Sequence, residues 1–167
     1  MVKQYLMLIA AVGVLSGCAK SVSNGDNKET QKRADDFSVS IKNHKFKPVS
    51  FYSDKPIDYI TNDVEVRAET DLWIYVKDYI KDDINLFNAD GNVTIFQNAS
   101  KFPGNEAPTI TTAYAITAEG NDVMLKFVDY NYVVTKYKLE QFDNAYFTIY
   151  VDGPAGAKLF SKFARVE

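Results

Sequence analysis

Two residues hold most of the reactive chemistry available to this chain: Cys18 is the single thiol and His44 the single imidazole of 167 residues. One Cys excludes an intrachain disulfide and any Cys-based zinc site, and one His excludes most His-based metal centres. His44 sits among Lys42, Lys45 and Lys47. A general base needs a nucleophile and an orienting acid beside it, which spacing alone does not supply here. The expectation is an exposed histidine on a strand or turn. Acidic residues bunch at Asp78, Asp82, Asp83 and Asp90. Around Asp90, Asn88-Ala89-Asp90-Gly91-Asn92 has its Gly too early for a calcium loop, and Gln97 stands where that loop needs a Glu. A hairpin turn explains the segment better. The sequence has neither a phosphate-cradling Gly-rich loop nor a G-x-S-x-G elbow. The expectations are therefore no catalytic residue, no metal, no cofactor and no enzyme. A carboxylate pair for hydrolysis is the least favoured reading left open.

What stands out instead is aromatic. Eleven Tyr and eleven Phe are present, and Tyr130, Tyr132, Tyr137, Tyr146 and Tyr150 cluster near the C-terminus. Tyr packs well in sheets, so sheet structure explains much of this. Tyr is also enriched at binding hot spots. Tyr130, Tyr132, Tyr146 and Tyr150 are accordingly the candidate interaction surface.

The N-terminus reads MVKQYLMLIAAVGVLSGC, with Lys3 ahead of an apolar run from Tyr5 to Leu15. That run is too short for a membrane span and suits a signal h-region. Leu15-Ser16-Gly17-Cys18 resembles the lipobox of bacterial lipoproteins. The resemblance implies removal of residues 1–17, a diacylglyceryl thioether on Cys18 and acylation of the new amino group. Two or more acyl chains anchor stably where one does not. The family's inner-membrane retention signal is an Asp after the Cys; Ala19 stands there, which points to the outer membrane, the domain facing the periplasm. Without the signal and its Lys3, 18 basic residues face 22 acidic ones, a net charge of −4. That balance argues against nucleic acid as a partner.

The elements that must position these residues follow from hydropathy. Residues 18–36 have no aromatic side chain and read as the lipidated Cys plus a flexible tether; the alternative is a short helix starting at Glu29–Arg33. From 37 to 167 a single β domain is expected. Phe37–Ile41 and Val64–Ala68 alternate with period two, and Leu72–Val76 is an apolar run that suits a central strand. The Asp90-Gly91 pair marks a hairpin, and Glu119–Asp122, Asp129–Asn131 and Gly153–Gly156 mark further turns. Phe147, Ile149 and Val151 are assigned to the core, with Tyr146, Thr148 and Tyr150 on the other face. Residues 78–84 suit a short helical turn. Residues 157–166 fit a helix or a strand, and the strand is favoured. The fold expected is all-β: an antiparallel β-sandwich or open barrel ending in a C-terminal meander. The run Val39–Pro48 resembles the opening strand of cupredoxin-like domains over ten residues, but one His and a committed Cys leave no blue-copper site.

Anchor, tether and β domain together suggest a non-catalytic component of an envelope assembly. The layout is similar to small outer-membrane lipoproteins of secretion machines, such as the sandwich-fold lipoprotein of type VI systems or the pilotins. Its partners would be the membrane, through the lipid on Cys18, and an envelope protein. A ligand- or inhibitor-binding module is the alternative, and it would show a concave aromatic-lined pocket rather than a flat Tyr surface.

Overall fold

Alternating apolar residues build most of this chain into one antiparallel sheet. The computed structural model describes residues 26–61, 64–104, 107–128 and 133–167. The signal segment, Cys18, Tyr130 and Tyr132 lie outside the described residues. The elements are α1 (Asp26–Ile41), β1 (Lys45–Thr61), β2 (Val64–Asp71), α2 (Asp78–Lys81), β3 (Ile84–Phe87), β4 (Asn92–Phe96), β5 (Thr109–Glu119), β6 (Asp122–Val128), β7 (Val134–Phe142), β8 (Tyr146–Asp152) and β9 (Lys158–Val166).

Strands β3 to β9 form a meander in which each pairs antiparallel with the next. β1 closes it, because its 17 residues are long enough to serve three neighbours. One edge pairs β9 from Lys45↔Val166 to Ser53↔Leu159. The other pairs β3 at Lys45↔Leu86 and Phe46↔Asn85, and further along pairs β2 from Tyr52↔Asp71 to Thr61↔Val64. All the strands except β2 thus form a ring, the barrel form of the all-β fold.

The ring is filled. Inward-facing Phe46, Phe87, Val93, Val123, Leu125, Leu139, Phe147 and Ile149 are buried together with Ala34, Phe37 and Ile41 of α1. The aromatic rings meet edge-on: Phe46 and Phe147 are 5.0 Å apart between centroids at 66°, and Phe37 and Phe147 are 5.4 Å apart at 67°. Such tilted pairs add to the area they bury. A second cluster of Ile57, Leu72 and Ala157 packs under the β1–β2 hairpin.

Helix α1 corrects two expectations, the flexible tether up to residue 36 and the strand at Phe37–Ile41. Thr30, Ala34, Phe37 and Ile41 recur at helical spacing and all four are buried. Val39, which a strand would place beside Phe37 and Ile41, is 73% exposed. On the solvent side, Lys32 pairs with Asp36 and Gln31 donates to Asp35, each at i,i+4. Arg33 ties the helix to the barrel. Its Nη2 donates to the carbonyls of Leu139 (3.3 Å) and Glu140 (2.7 Å), where a bulge interrupts the β7–β8 register between Leu139 and Gln141. The guanidinium thus supplies donors to carbonyls at the bulge.

The central strand expected at Leu72–Val76 is a 3-10 turn over Trp73–Tyr75. Asp71 Oδ1 accepts the Trp73 N–H at 3.0 Å and starts the turn, and Ile74 is left 64% exposed. Of the remaining expectations, the turn at Asp129–Asn131 lies outside the described residues, and Val151, assigned to the core, is only half-buried, whereas Thr148 and Tyr150 on the opposite face of β8 are buried. The Asp90-Gly91 hairpin joins β3 to β4 with Gly91 at φ 84° and Asp90 Oδ1 accepting the Asn92 N–H. Residues 78–81 form α2, residues 158–166 form a strand, and Phe147 and Ile149 are core.

Candidate functional site

The Tyr residues singled out in the sequence fall in two groups. Tyr146 and Tyr150 share the outer face of β8, whereas Tyr130 and Tyr132 lie outside the described residues. Sheet register extends the β8 pair into a row that sequence reasoning missed. Lys138 of β7, Tyr150 of β8, Phe160 of β9 and Tyr52 of β1 stand opposite one another in turn. Tyr52 stacks on Phe160, with centroids 4.9 Å apart and planes at 9°, and Tyr150 tilts against Phe160 at 5.4 Å.

Lysines cover this row. Lys158 Nζ lies 4.5 Å from the Tyr150 ring centroid and Lys138 Nζ lies 6.0 Å from it, while Lys162 Nζ sits 3.9 Å from the Tyr146 ring. Their stems shield the rings, so Tyr150 is 8% exposed although it faces outward. Tyr146 is half-buried. Burial, followed by the charge of Glu140, raises the Tyr52 phenol above its ordinary range. Beyond the row, Lys126 and Lys136 both bond Glu119, and those two hydrogen bonds hold its carboxyl down to about 2. Lys138 pairs with Asp122 at 3.1 Å, which raises its ammonium above the usual lysine range. Among the described residues Lys158 and Lys162 make no ion pair, so the Tyr146–Tyr150 strip carries cations over aromatic faces. The strip lies on the outside of the closed ring and not in its interior.

A hollow opens at the end of the barrel where α1 enters β1. Asn43, His44, Lys45, Leu86, Asn144, Ala145, Arg165, Val166 and Glu167 line a space of about 580 Å³. Its lining is polar and contains one ring, His44, so it is not the aromatic pocket that a ligand module was expected to show. The turn above it is made by Asn43, whose φ of 60° suits an Asn. His44, expected as a bystander, meets Arg165 from 121 positions away: Arg165 Nη2 is 2.6 Å from Nδ1 and 2.7 Å from Nε2.

The acidic bunch disperses. Asp90 caps its own hairpin, and Asp78 pairs with Lys81. Asp82 accepts the Ser100 N–H through Oδ2, and its carbonyl accepts from Asn98. Asp83 is pushed up to about 6, first by burial and then by its neighbour Asp82. Among the described residues no cluster of three or more His, Cys, Asp or Glu could hold a metal. No helix among them is long and apolar enough to cross a membrane. Comparison with protein-family models, with curated proteins and with solved structures finds no match.

Proposed function

We propose that this chain is a lipoprotein held in the bacterial outer membrane by acyl chains on Cys18, and that its domain is a non-catalytic interaction part of an envelope assembly. The observation that carries this reading is the filled ring. Phe37, Phe46, Phe87 and Phe147 occupy the space where a small β-barrel would otherwise hold a ligand, so recognition falls to the outer surface. There Tyr146, half-buried, and Tyr150, buried beneath Lys158, form a strip of aromatic rings topped by lysine cations, and Tyr supplies large contact area at interfaces. The domain would face the periplasm and meet an envelope protein. A triacylated Cys18 would hold it at the bilayer, at about 0.8 kcal/mol per buried CH₂.

The test places a photo-crosslinking amino acid at position 146 in the full chain, in cells, with Cys18 intact or changed to Ser. The expected result is a crosslinked partner of defined mass in the outer-membrane fraction, lost in Cys18→Ser, together with an N-terminal peptide that begins at a lipid-bearing Cys18. An unlipidated chain that keeps residues 1–17 refutes the anchor. No crosslink from position 146, alongside a saturable small-molecule ligand, refutes the interaction role and favours the ligand-module reading, for which the hollow at Arg165 is the feature in favour.

A further inference from the structure

We propose that the free edge of β2 pairs with the same edge of a second copy of this chain, antiparallel and centred on Val66. The inference goes beyond the envelope reading and depends neither on the anchor nor on the tyrosine strip. It starts from the strand that the ring leaves out. β1 pairs β9 only as far as Ser53↔Leu159, and from Tyr52 to Thr61 its other edge is paired by β2. Among the described residues β2 has β1 as its only strand neighbour, whereas every other strand has a neighbour on each side. The outer edge of β2 therefore carries backbone N–H and C=O groups that no strand of the same chain takes up.

Alternation tells which residues present that edge. Thr61 and Val64 close the hairpin across two residues, and Ile60↔Glu65 and Tyr59↔Val66 follow. The residues flanking a two-residue turn hydrogen-bond to each other, and opposed residues then alternate between pairs that exchange hydrogen bonds and pairs that do not. Val64 and Val66 thus direct their backbone groups to β1, and Glu65 and Arg67 direct theirs to the free edge. The next pair, Ile57↔Glu69, is shifted; Ala68 has φ 50° and its N–H donates to Asp58 Oδ1 at 2.7 Å. That bulge ends the regular stretch after Arg67 and confines any further pairing to a few residues.

Charge selects the second copy and the register. Glu65 and Arg67 flank Val66, are both exposed, and lie on one face, where Arg67 Nη2 is 2.7 Å from Glu65 Oε1 within the chain. With a two-fold axis at Val66, Glu65 stands opposite Arg67 of the second copy, twice, and each of those two pairs exchanges backbone hydrogen bonds. Centred on Glu65 instead, the edge sets Glu against Glu. Centred on Arg67, it sets Arg against Arg and Glu65 against Glu69. Like charges directly opposite disfavour both of these registers. Each copy exchanges its own Glu65–Arg67 pair for one across the seam, so the charges fix the register and the backbone supplies the attraction. Contact over so few residues is far smaller than a standard interface, so the association is weak and reversible.

A single thiol reads the geometry. In this register the two residues at position 66 form a pair without mutual hydrogen bonds, their Cα atoms about 4.5 Å apart and within reach of a disulfide. The two residues at position 64 are roughly 14 Å apart along the strands. The full chain is prepared in nonionic detergent with Cys18→Ser, which leaves the introduced Cys as its only thiol. Val66→Cys and Val64→Cys are then oxidised in parallel. The expected result is a covalent dimer at least about tenfold faster from Val66→Cys; equal rates, or no dimer from Val66→Cys, overturn the proposal. Glu65→Arg or Arg67→Glu, added to Val66→Cys, sets like charges opposite one another and should slow the reaction about fivefold. Mixed in equal amounts, one variant presents two Arg and the other two Glu. The mixed dimer, identified by its mass, should then exceed the half expected from random pairing. A mixed dimer at half or below, or an equal excess in the Val64→Cys background, overturns the proposal.

Discussion

Phe37 and Val39 decide whether the N-terminal segment is part of the barrel's core or an appendage. In the helix, Phe37 is fully buried, with its ring 5.3 Å from Phe142 and 5.4 Å from Phe147, while Val39 is 73% exposed. A strand at 37–41 would put both residues and Ile41 on one face. Phe37→Ala removes the ring and leaves a cavity beside Phe142 of β7 and Phe147 of β8, which the sheet holds in place. Such substitutions cost about 3–5 kcal/mol, a large share of the roughly 5–15 kcal/mol that holds a domain folded. Val39→Ser changes an exposed position and should lie within about 0.5 kcal/mol of wild type. Urea unfolding, followed by far-UV circular dichroism and by Trp73 fluorescence, reads both. With a slope of about 1–3 kcal/mol per molar, Phe37→Ala should lower the midpoint by about 2 M and Val39→Ser should leave it in place. Equal losses for the two variants would refute the helix, and a loss below about 1 kcal/mol for Phe37→Ala would refute its place in the core.

Two further outcomes follow from polar groups that the fold treats badly. Asp83, raised from 3.8 to about 6, binds its proton more tightly folded than unfolded. Stability is therefore greatest below the unfolded value and falls as pH rises from about 4 through 6. The group is only partly buried, so solvent screening reduces the effect to about 1 kcal/mol; Asp83→Asn should abolish that fall and be the more stable protein at pH 7.5, measured as urea midpoints at pH 4.5 and 7.5. Thr148 is 1% exposed and its Oγ1 has no hydrogen-bond partner. Replacing it with Val keeps the shape and removes an unsatisfied hydroxyl, so Thr148→Val should raise stability by about 1 kcal/mol, read as a rise in melting temperature; a fall would mean that the hydroxyl is satisfied in solution.

Local chemistry was legible in the sequence where a turn needs a particular residue. Asp90-Gly91 demands a positive φ at the Gly and a side-chain acceptor at the Asp, and both are used. Alternation on β8 placed Phe147 and Ile149 in the core, but not Val151, which is half-buried near the strand's end, and it did not show that Thr148 and Tyr150 on the other face would be buried too. Helix α1 was hidden because Phe37 and Ile41, four apart, satisfy a period of two as well as one of 3.6. The residues that break the tie, Thr30 and Ala34, are too weakly apolar to register as a stripe. Leu72–Val76 misled in the opposite direction: an apolar run promised a buried strand, but Asp71 captures the Trp73 N–H and turns the chain at once. Of the candidate site, Tyr146 and Tyr150 were legible as one face of one strand. Tyr52, Phe160 and the lysines were not, since only the β1–β9 pairing brings them alongside. The same holds for Arg165 at His44.

That pairing also sets how firmly each surface is built. β1 holds β9 through eight residue pairs and β3 through two. The aromatic row crosses the first of these seams, where Tyr52 and Phe160 are paired partners, so its geometry is fixed by the longest ladder β1 makes. The hollow borders the second, since Lys45 and Leu86 are both a β1–β3 pair and part of its lining. A ladder of two pairs opens at lower cost than one of eight, because local opening follows the number of contacts released.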